Sequence, residues 1–137
     1  LLTAWLGWPV VAFLGGIATL FSAWFFRNPA RVIPQGPNLI VAPGDGKVIA
    51  IEEEFEPRYL KERSVRLTIF LNVFDVHINR SPVAGRISKS IYVPGAFLNA
   101  ALDKASEENE RRSLVITMAG GMQVAVVQIA GLIARRR

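Results

Sequence analysis

The sequence predicts an α+β protein, mainly antiparallel β with one soluble helix, preceded by an N-terminal membrane-anchoring helix. Three observations predict it. Residues 1–26 carry no charge, and all 16 basic and 11 acidic side chains fall at Arg27 or later. From residue 39 onward, short apolar runs alternate with Pro- and Gly-containing turns, the pattern of a strand-rich body. One stretch, residues 96–112, has helix-forming composition and no interior Gly or Pro.

The chain divides into an anchor at 1–26, a linker at 27–38 and a β-rich body at 39–137. Pro9 suits the first turn of a helix, where its missing N–H costs nothing. From Pro9 to Phe26 such a helix is roughly 27 Å long, enough to cross a hydrocarbon core. Trp5, Trp8 and Trp24 flank it as interfacial anchors. Arg27 and Arg31 follow at once, which by the positive-inside rule puts the body on the cytoplasmic side of the cell membrane. No basic segment precedes the apolar run and no small-residue cleavage site follows it, which argues against a secretory signal. Pro29, Pro34, Gly36 and Pro37 stiffen the linker.

In the body, residues 39–42 read as a short strand, 43–46 as a turn and 47–51 as the return strand. Glu52, Glu53, Glu54 and Glu56 lead into a loop with Pro57. Residues 64–72 alternate, with Val65, Leu67, Ile69 and Leu71 on one face. Continued through Val76 and Ile78, that alternation puts Asp75, His77 and Asn79 on one face if the segment is extended. Residues 85–93 form another strand, closed by Pro94-Gly95. The helix over 96–112 carries a stripe of Leu98, Ala101, Leu102 and Ala105 and a solvated acidic end. Residues 113–118 and 122–130 form a hairpin across Ala119-Gly120-Gly121.

Composition excludes several chemistries. With no cysteine there is no disulfide and no thiolate metal site. A single histidine among scattered carboxylates makes a zinc site unfavourable, and no metal is expected. The net charge of +5 favours an anionic surface. No basic face interleaved with aromatics is visible, so a membrane leaflet is favoured over nucleic acid. There is no nucleophile elbow, phosphate-binding loop or dinucleotide fingerprint.

The candidate site residues are Asp45, His77, Asn79 and Arg80. His77, the only histidine, is the natural general acid or base near neutral pH. Asp75 and Asn79 stand beside it and could fix its tautomer, and Arg80 suits a phosphate or carboxylate. Asp45 lies in Pro43-Gly44-Asp45-Gly46, where it is either a turn-former or the acid that orients an imidazole. The bland alternative for each stays open: a turn aspartate, a structural histidine, and polar residues serving the turn before Pro82.

Four segments carry a resemblance. They are Trp24-Phe25-Phe26-Arg27-Asn28-Pro29-Ala30-Arg31; Val41-Ala42-Pro43-Gly44-Asp45-Gly46-Lys47-Val48; Phe70-Leu71-Asn72-Val73-Phe74-Asp75-Val76-His77-Ile78-Asn79-Arg80-Ser81-Pro82-Val83-Ala84-Gly85; and Tyr92-Val93-Pro94-Gly95. In this order they resemble the pyruvoyl-dependent phosphatidylserine decarboxylases of the short bacterial and archaeal type, over about residues 24–136. The resemblance implies a proenzyme in which a serine of a Gly-Ser step near the C-terminus attacks its preceding carbonyl. Cleavage leaves a β chain and an α chain headed by a pyruvoyl group. By motif match Asp45 and His77 are the acid and base of the Asp-His-Ser triad that drives this cleavage. Asn79 and Arg80 are candidate substrate contacts. The pyruvoyl cofactor then forms a Schiff base with phosphatidylserine, which leaves as phosphatidylethanolamine and carbon dioxide. The implied partners are a phospholipid membrane, the α chain and, as a further candidate, a second copy of the chain; nucleic acid is not among them.

This chain contains no Gly-Ser pair, so the pyruvoyl serine is expected beyond Arg137 and this chain alone is expected to be inactive. Longer family members carry a second histidine three residues before the triad histidine; Phe74 stands there. The competing expectations are a non-catalytic membrane-tethered β module that binds a lipid or protein, and a decarboxylase of an archaeal serine phospholipid.

Overall fold

A computed structural model describes residues 2–37, 39–99 and 105–131. The order is α1 (Leu2–Phe25), β1 (Lys47–Glu56), β2 (Glu62–Phe70), β3 (Arg86–Val93), α2 (Ala105–Glu108), β4 (Arg111–Thr117) and β5 (Gln123–Ile129). The strands form two antiparallel sheets, β1-β2 and β3-β4-β5. The fold is α+β with an apolar N-terminal helix.

Helix α1 is apolar on all sides, and the side chains of its span Gly7–Phe25 are almost entirely uncovered by the rest of the chain. A soluble helix would bury one stripe; this one is long and apolar enough to cross a membrane. Within that span Thr19 Oγ1 donates to the Gly15 carbonyl and Ser22 Oγ to the Ala18 carbonyl, both at 2.8 Å. The helix starts upstream of Pro9, so Pro9 lies inside it rather than in the first turn. The apolar residues before Pro9 extend the same helix.

The return strand expected over 47–51 runs on through the acidic residues to Glu56. Pairing with β2 puts Glu52 opposite Arg66 and Glu54 opposite Ser64, and Arg66 bridges both glutamates at 2.6 and 2.7 Å. Cross-strand charge pairing thereby overrides the low strand preference of glutamate. The Glu56 carboxylate closes the turn by accepting the N–H groups of Arg58, Tyr59 and Leu60 at 3.0, 2.6 and 2.8 Å. Residues 39–42 are not a strand: within them Val41 N–H donates to the Pro82 carbonyl at 2.9 Å, one bond without a ladder.

The helix expected over 96–112 shrinks to Ala105–Glu108. Residues 100–104, which carry part of its stripe, lie outside the described residues. On either side, tertiary bonds defeat helix propensity. Ala96 N–H donates to the Glu108 carbonyl and the Ala96 carbonyl accepts the Glu110 N–H, a parallel bridge at Asn109, and Arg111 and Arg112 open β4. Buried Asn109 accepts the Leu98 N–H at 2.9 Å and donates to the carbonyls of Leu98 and Ala130 at 2.9 and 2.7 Å. Gly95 lies against the backbone of residues 108–110, where a Cβ would clash. The expected hairpin at 113–130 is present as β4-β5, and Val115 and Ile116 on β4 are core residues.

Candidate functional site

The candidate residues come from two irregular segments, 43–46 and 72–80, which touch. Arg80 N–H donates to the Pro43 carbonyl at 2.7 Å. A Cβ built on Gly44 would stand 2.7 Å from Asn79 Oδ1, so glycine is what lets the turn close on Asn79. Asp45 and His77, 32 positions apart in sequence, therefore lie on adjoining pieces of backbone.

Residues 72–80 are not an extended strand. Asp75 turns back to accept the Asn72 N–H on Oδ2 at 2.8 Å, and Asn72 Oδ1 accepts the Phe74 N–H at 2.7 Å. These side-chain bonds offer the backbone a turn in place of a ladder, and the alternation ends at Leu71. Asp75, His77 and Asn79 consequently do not share a strand face. Buried Val76 fixes the segment beneath His77.

His77 is half-buried. Its ring stacks on Phe25 at the end of α1, with centroids 4.2 Å apart and planes 21° from parallel. Its Nδ1 lies 3.1 Å from the Asp75 carbonyl oxygen, not from the Asp75 carboxylate. A proton on Nδ1 makes this a hydrogen bond and leaves Nε2 as the basic nitrogen.

The Asp45 carboxylate pairs with Arg31 rather than with the imidazole. Arg31 Nη2 donates to Asp45 Oδ2 at 2.9 Å and makes a longer contact, 3.4 Å, to the Ile78 carbonyl. Arg31 is largely buried and Asp45 half-exposed. Asp45 Oδ1 has no hydrogen-bond partner among the described residues, so one oxygen is held and the other is open. Arg31 Nε is buried without a partner among the described residues, an unused donor beside the backbone of Ile78. Arg80 extends to the Asn28 side-chain oxygen.

The sequence reading missed how much the linker contributes. Arg27 Nη2 donates to the Phe74 carbonyl at 2.9 Å and its guanidinium lies 4.2 Å from the Trp24 ring centroid. Trp24 meets Phe74 edge-on at 6.0 Å. Phe25, Arg27, Asn28 and Arg31 thus form the wall against which 72–80 rests. The signal was the Arg27-Asn28-Pro29-Ala30-Arg31 landmark, read as a membrane flank. An open depression of about 660 Å³ at the start of β3, beside Ser88, Thr117 and Met118, holds none of the candidate residues. Among the described residues no group of three or more His, Cys, Asp or Glu side chains could hold a metal ion.

Comparison with known proteins places the chain in a family. The family described as phosphatidylserine decarboxylase matches residues 18–136. A phosphatidylserine decarboxylase proenzyme of Syntrophus aciditrophicus is 52% identical over 126 residues, covering 92% of this chain and 59% of that protein. Proenzymes of the same name from Paraburkholderia phytofirmans and Burkholderia vietnamiensis are 47% and 48% identical, covering 95% of this chain and 69% of theirs. The chain thus spans about three-fifths to two-thirds of the length of these relatives. With the family matched from the end of α1 through β5 and every site segment inside that match, the chain belongs to the phosphatidylserine decarboxylase family.

Proposed function

We propose that the protein is the β-chain part of a membrane-associated phosphatidylserine decarboxylase, made as a proenzyme that cleaves itself at a serine outside this chain. The observation that carries the reading is the 52% identity to a proenzyme of that name across nine-tenths of the chain. The geometry supports specific roles. His77, with Nδ1 turned to the Asp75 carbonyl, offers Nε2 to take the proton of the attacking serine hydroxyl. The Phe25 stack restricts the ring to one plane. Asp45, whose carboxylate is held by Arg31 on the turn that touches residues 72–80, is assigned the part of the acid in the triad, and to serve it the carboxylate has to turn from Arg31 toward the imidazole.

The pyruvoyl group of the mature enzyme is the electron sink for loss of carbon dioxide from the serine head group. The residues present fit such a site. The exposed Arg80 guanidinium offers a cationic donor for an anionic head group, three positions along the chain from a half-buried imidazole that can carry a proton. Arg80 and Asn79 remain the proposed head-group contacts. No bound metal is invoked.

The placement of the site supports a membrane substrate. His77 stacks on the last turn of α1, so inserting α1 sets the imidazole at the bilayer surface, where a phospholipid head group lies. Arg27 and Arg31 at that end favour the cytoplasmic leaflet.

The test is self-cleavage of the full-length proenzyme, followed by gel mobility, with decarboxylation of phosphatidylserine in vesicles as the second readout. The wild type is expected to split into two chains and His77→Ala to stay whole. Normal cleavage of His77→Ala removes His77 as the base. A wild-type chain that never cleaves favours a membrane-tethered binding module instead.

A further inference from the structure

The β1-β2 hairpin has two unlike faces. Antiparallel pairing puts Ile51 opposite Leu67, Val65 opposite Glu53 and Phe55 opposite Arg63 on one side, so four large apolar side chains share it with one charge of each sign. These four side chains are 48–67% exposed. The other side carries Glu52, Glu54 and Arg66, joined by ion pairs and adequately solvated. Among the described elements, none packs on the apolar side: β1 and β2 make extensive contact only with each other. A two-stranded hairpin is marginal by itself and needs another layer or strand to stabilise it. A cluster of large apolar side chains of this kind marks an interface.

Two observations identify the occupant. Relatives about half identical to this chain are longer by roughly a third to two-fifths of their own length, so their fold contains a further segment with no counterpart here. Charge argues against lipid. The two strands hold five acidic residues, Glu52, Glu53, Glu54, Glu56 and Glu62, against three basic ones, Lys47, Arg63 and Arg66, in a chain whose net charge is +5. The acidic hairpin is therefore the part of this basic protein least suited to an anionic bilayer.

We infer that the apolar face formed by Ile51, Phe55, Val65 and Leu67 is the docking surface for the remaining portion of the proenzyme, the portion that becomes the α chain. This rests on the proenzyme reading above for the identity of the partner. It adds a place: the α-chain portion covers the β1-β2 sheet and completes its core.

The test uses the full-length proenzyme. This part of the chain has no cysteine, so Leu67→Cys and Val65→Cys probe the apolar face and Glu52→Cys probes the solvated face. Thiol alkylation is expected to be about ten-fold or more slower at positions 67 and 65 than at 52, as for sites that react only through local opening. A photoactivatable benzophenone on Glu53→Cys, on the same face directly opposite Val65, then reports the neighbour by peptide mapping. Cross-links to peptides of the α-chain portion support the inference. Equal alkylation rates, or cross-links to lipid or to the same hairpin of a second copy, overturn it. Cleavage is scored on the same gels. A protected face in a protein that does not cleave refutes the decarboxylase reading and leaves the docking surface standing. Normal cleavage with an unprotected face does the reverse.

Discussion

Removing Arg31 should slow self-cleavage without abolishing it. Arg31 Nη2 holds Asp45 Oδ2 at 2.9 Å and touches the Ile78 carbonyl at 3.4 Å, so it ties the acid-bearing turn to the segment that carries His77. Asp45 is about half exposed and Arg31 about a fifth exposed. A fully exposed pair contributes about 0.2–1 kcal/mol, and a buried charged hydrogen bond about 1.5–3 kcal/mol. Screening at the Asp45 end places this pair near ~1 kcal/mol. The turn keeps its other tie, Arg80 N–H to the Pro43 carbonyl at 2.7 Å, so the fold survives. A loss of ~1 kcal/mol in the transition state is about a five-fold change in rate. Arg31→Met in the full-length proenzyme is thus expected to cleave about five-fold more slowly, and Arg31→Lys to recover to within about two-fold, because it keeps the charge but not the fork. The assay is a pulse-chase of chain separation on gels. In a double-mutant cycle, Arg31→Met should add almost nothing to Asp45→Asn, since both remove one interaction. A rate equal to or above wild type refutes the positioning argument. So does a loss of a hundred-fold or more with full additivity, which would place Arg31 on the reacting groups themselves.

Three other outcomes are expected. Gly44→Ala pushes against Asn79 Oδ1, 2.7 Å from the new Cβ, and should raise KM for phosphatidylserine more than it lowers stability, read from vesicle kinetics beside a melting curve. Asn109→Ala strips the buried Ala130 carbonyl and the part-buried Leu98 carbonyl and N–H of their partner and should cost about 2–4 kcal/mol in urea unfolding, whereas a loss below about 1 kcal/mol would mean that water replaces the amide. Burial pushes the Glu56 carboxyl up, but the N–H groups of Leu60, Tyr59 and Arg58, with the Arg58 charge, more than offset this and hold it below its ordinary value of 4.5. A carboxyl depressed in the folded state adds stability that is present above the unfolded value and fades as pH falls through the folded one. The hairpin should therefore weaken below about pH 4.5, and Glu56→Gln should flatten that part of the stability profile; an unchanged acid limb in the variant would remove Glu56 as its source.

Much was legible in one dimension. The uncharged run of residues 1–26 specified an apolar helix, because no charge can be hidden in such a stretch and none is present. Alternation gave β2, β3 and the β4-β5 hairpin within a few residues, since period two is a property of the strand itself. The names of the chemical groups, one histidine and an Asp in a Pro-Gly-Asp-Gly turn, were also plain from the chain.

Tertiary structure decided what those groups touch. Helix propensity favoured residues 96–112, yet Asn109 and the backbone pairing at Ala96 and Glu110 drew that stretch toward the three-stranded sheet, because buried amides must find partners. Three consecutive glutamates gave no strand signal past residue 51, and it is Arg66, bridging Glu52 and Glu54, that extends the strand. Asp75 was expected beside the imidazole as a carboxylate; its side chain closes the turn at Asn72 instead and its carbonyl faces His77. The linker read as a spacer, but Phe25 and Arg31 sit against His77 and Asp45 across some 52 and 14 positions of chain. Hydrophobic period and turn chemistry are local and can be read from neighbours in sequence. Partner choice among charges and rings is set by which distant segments fold together, and here it gave Asp45 an arginine and His77 a phenylalanine.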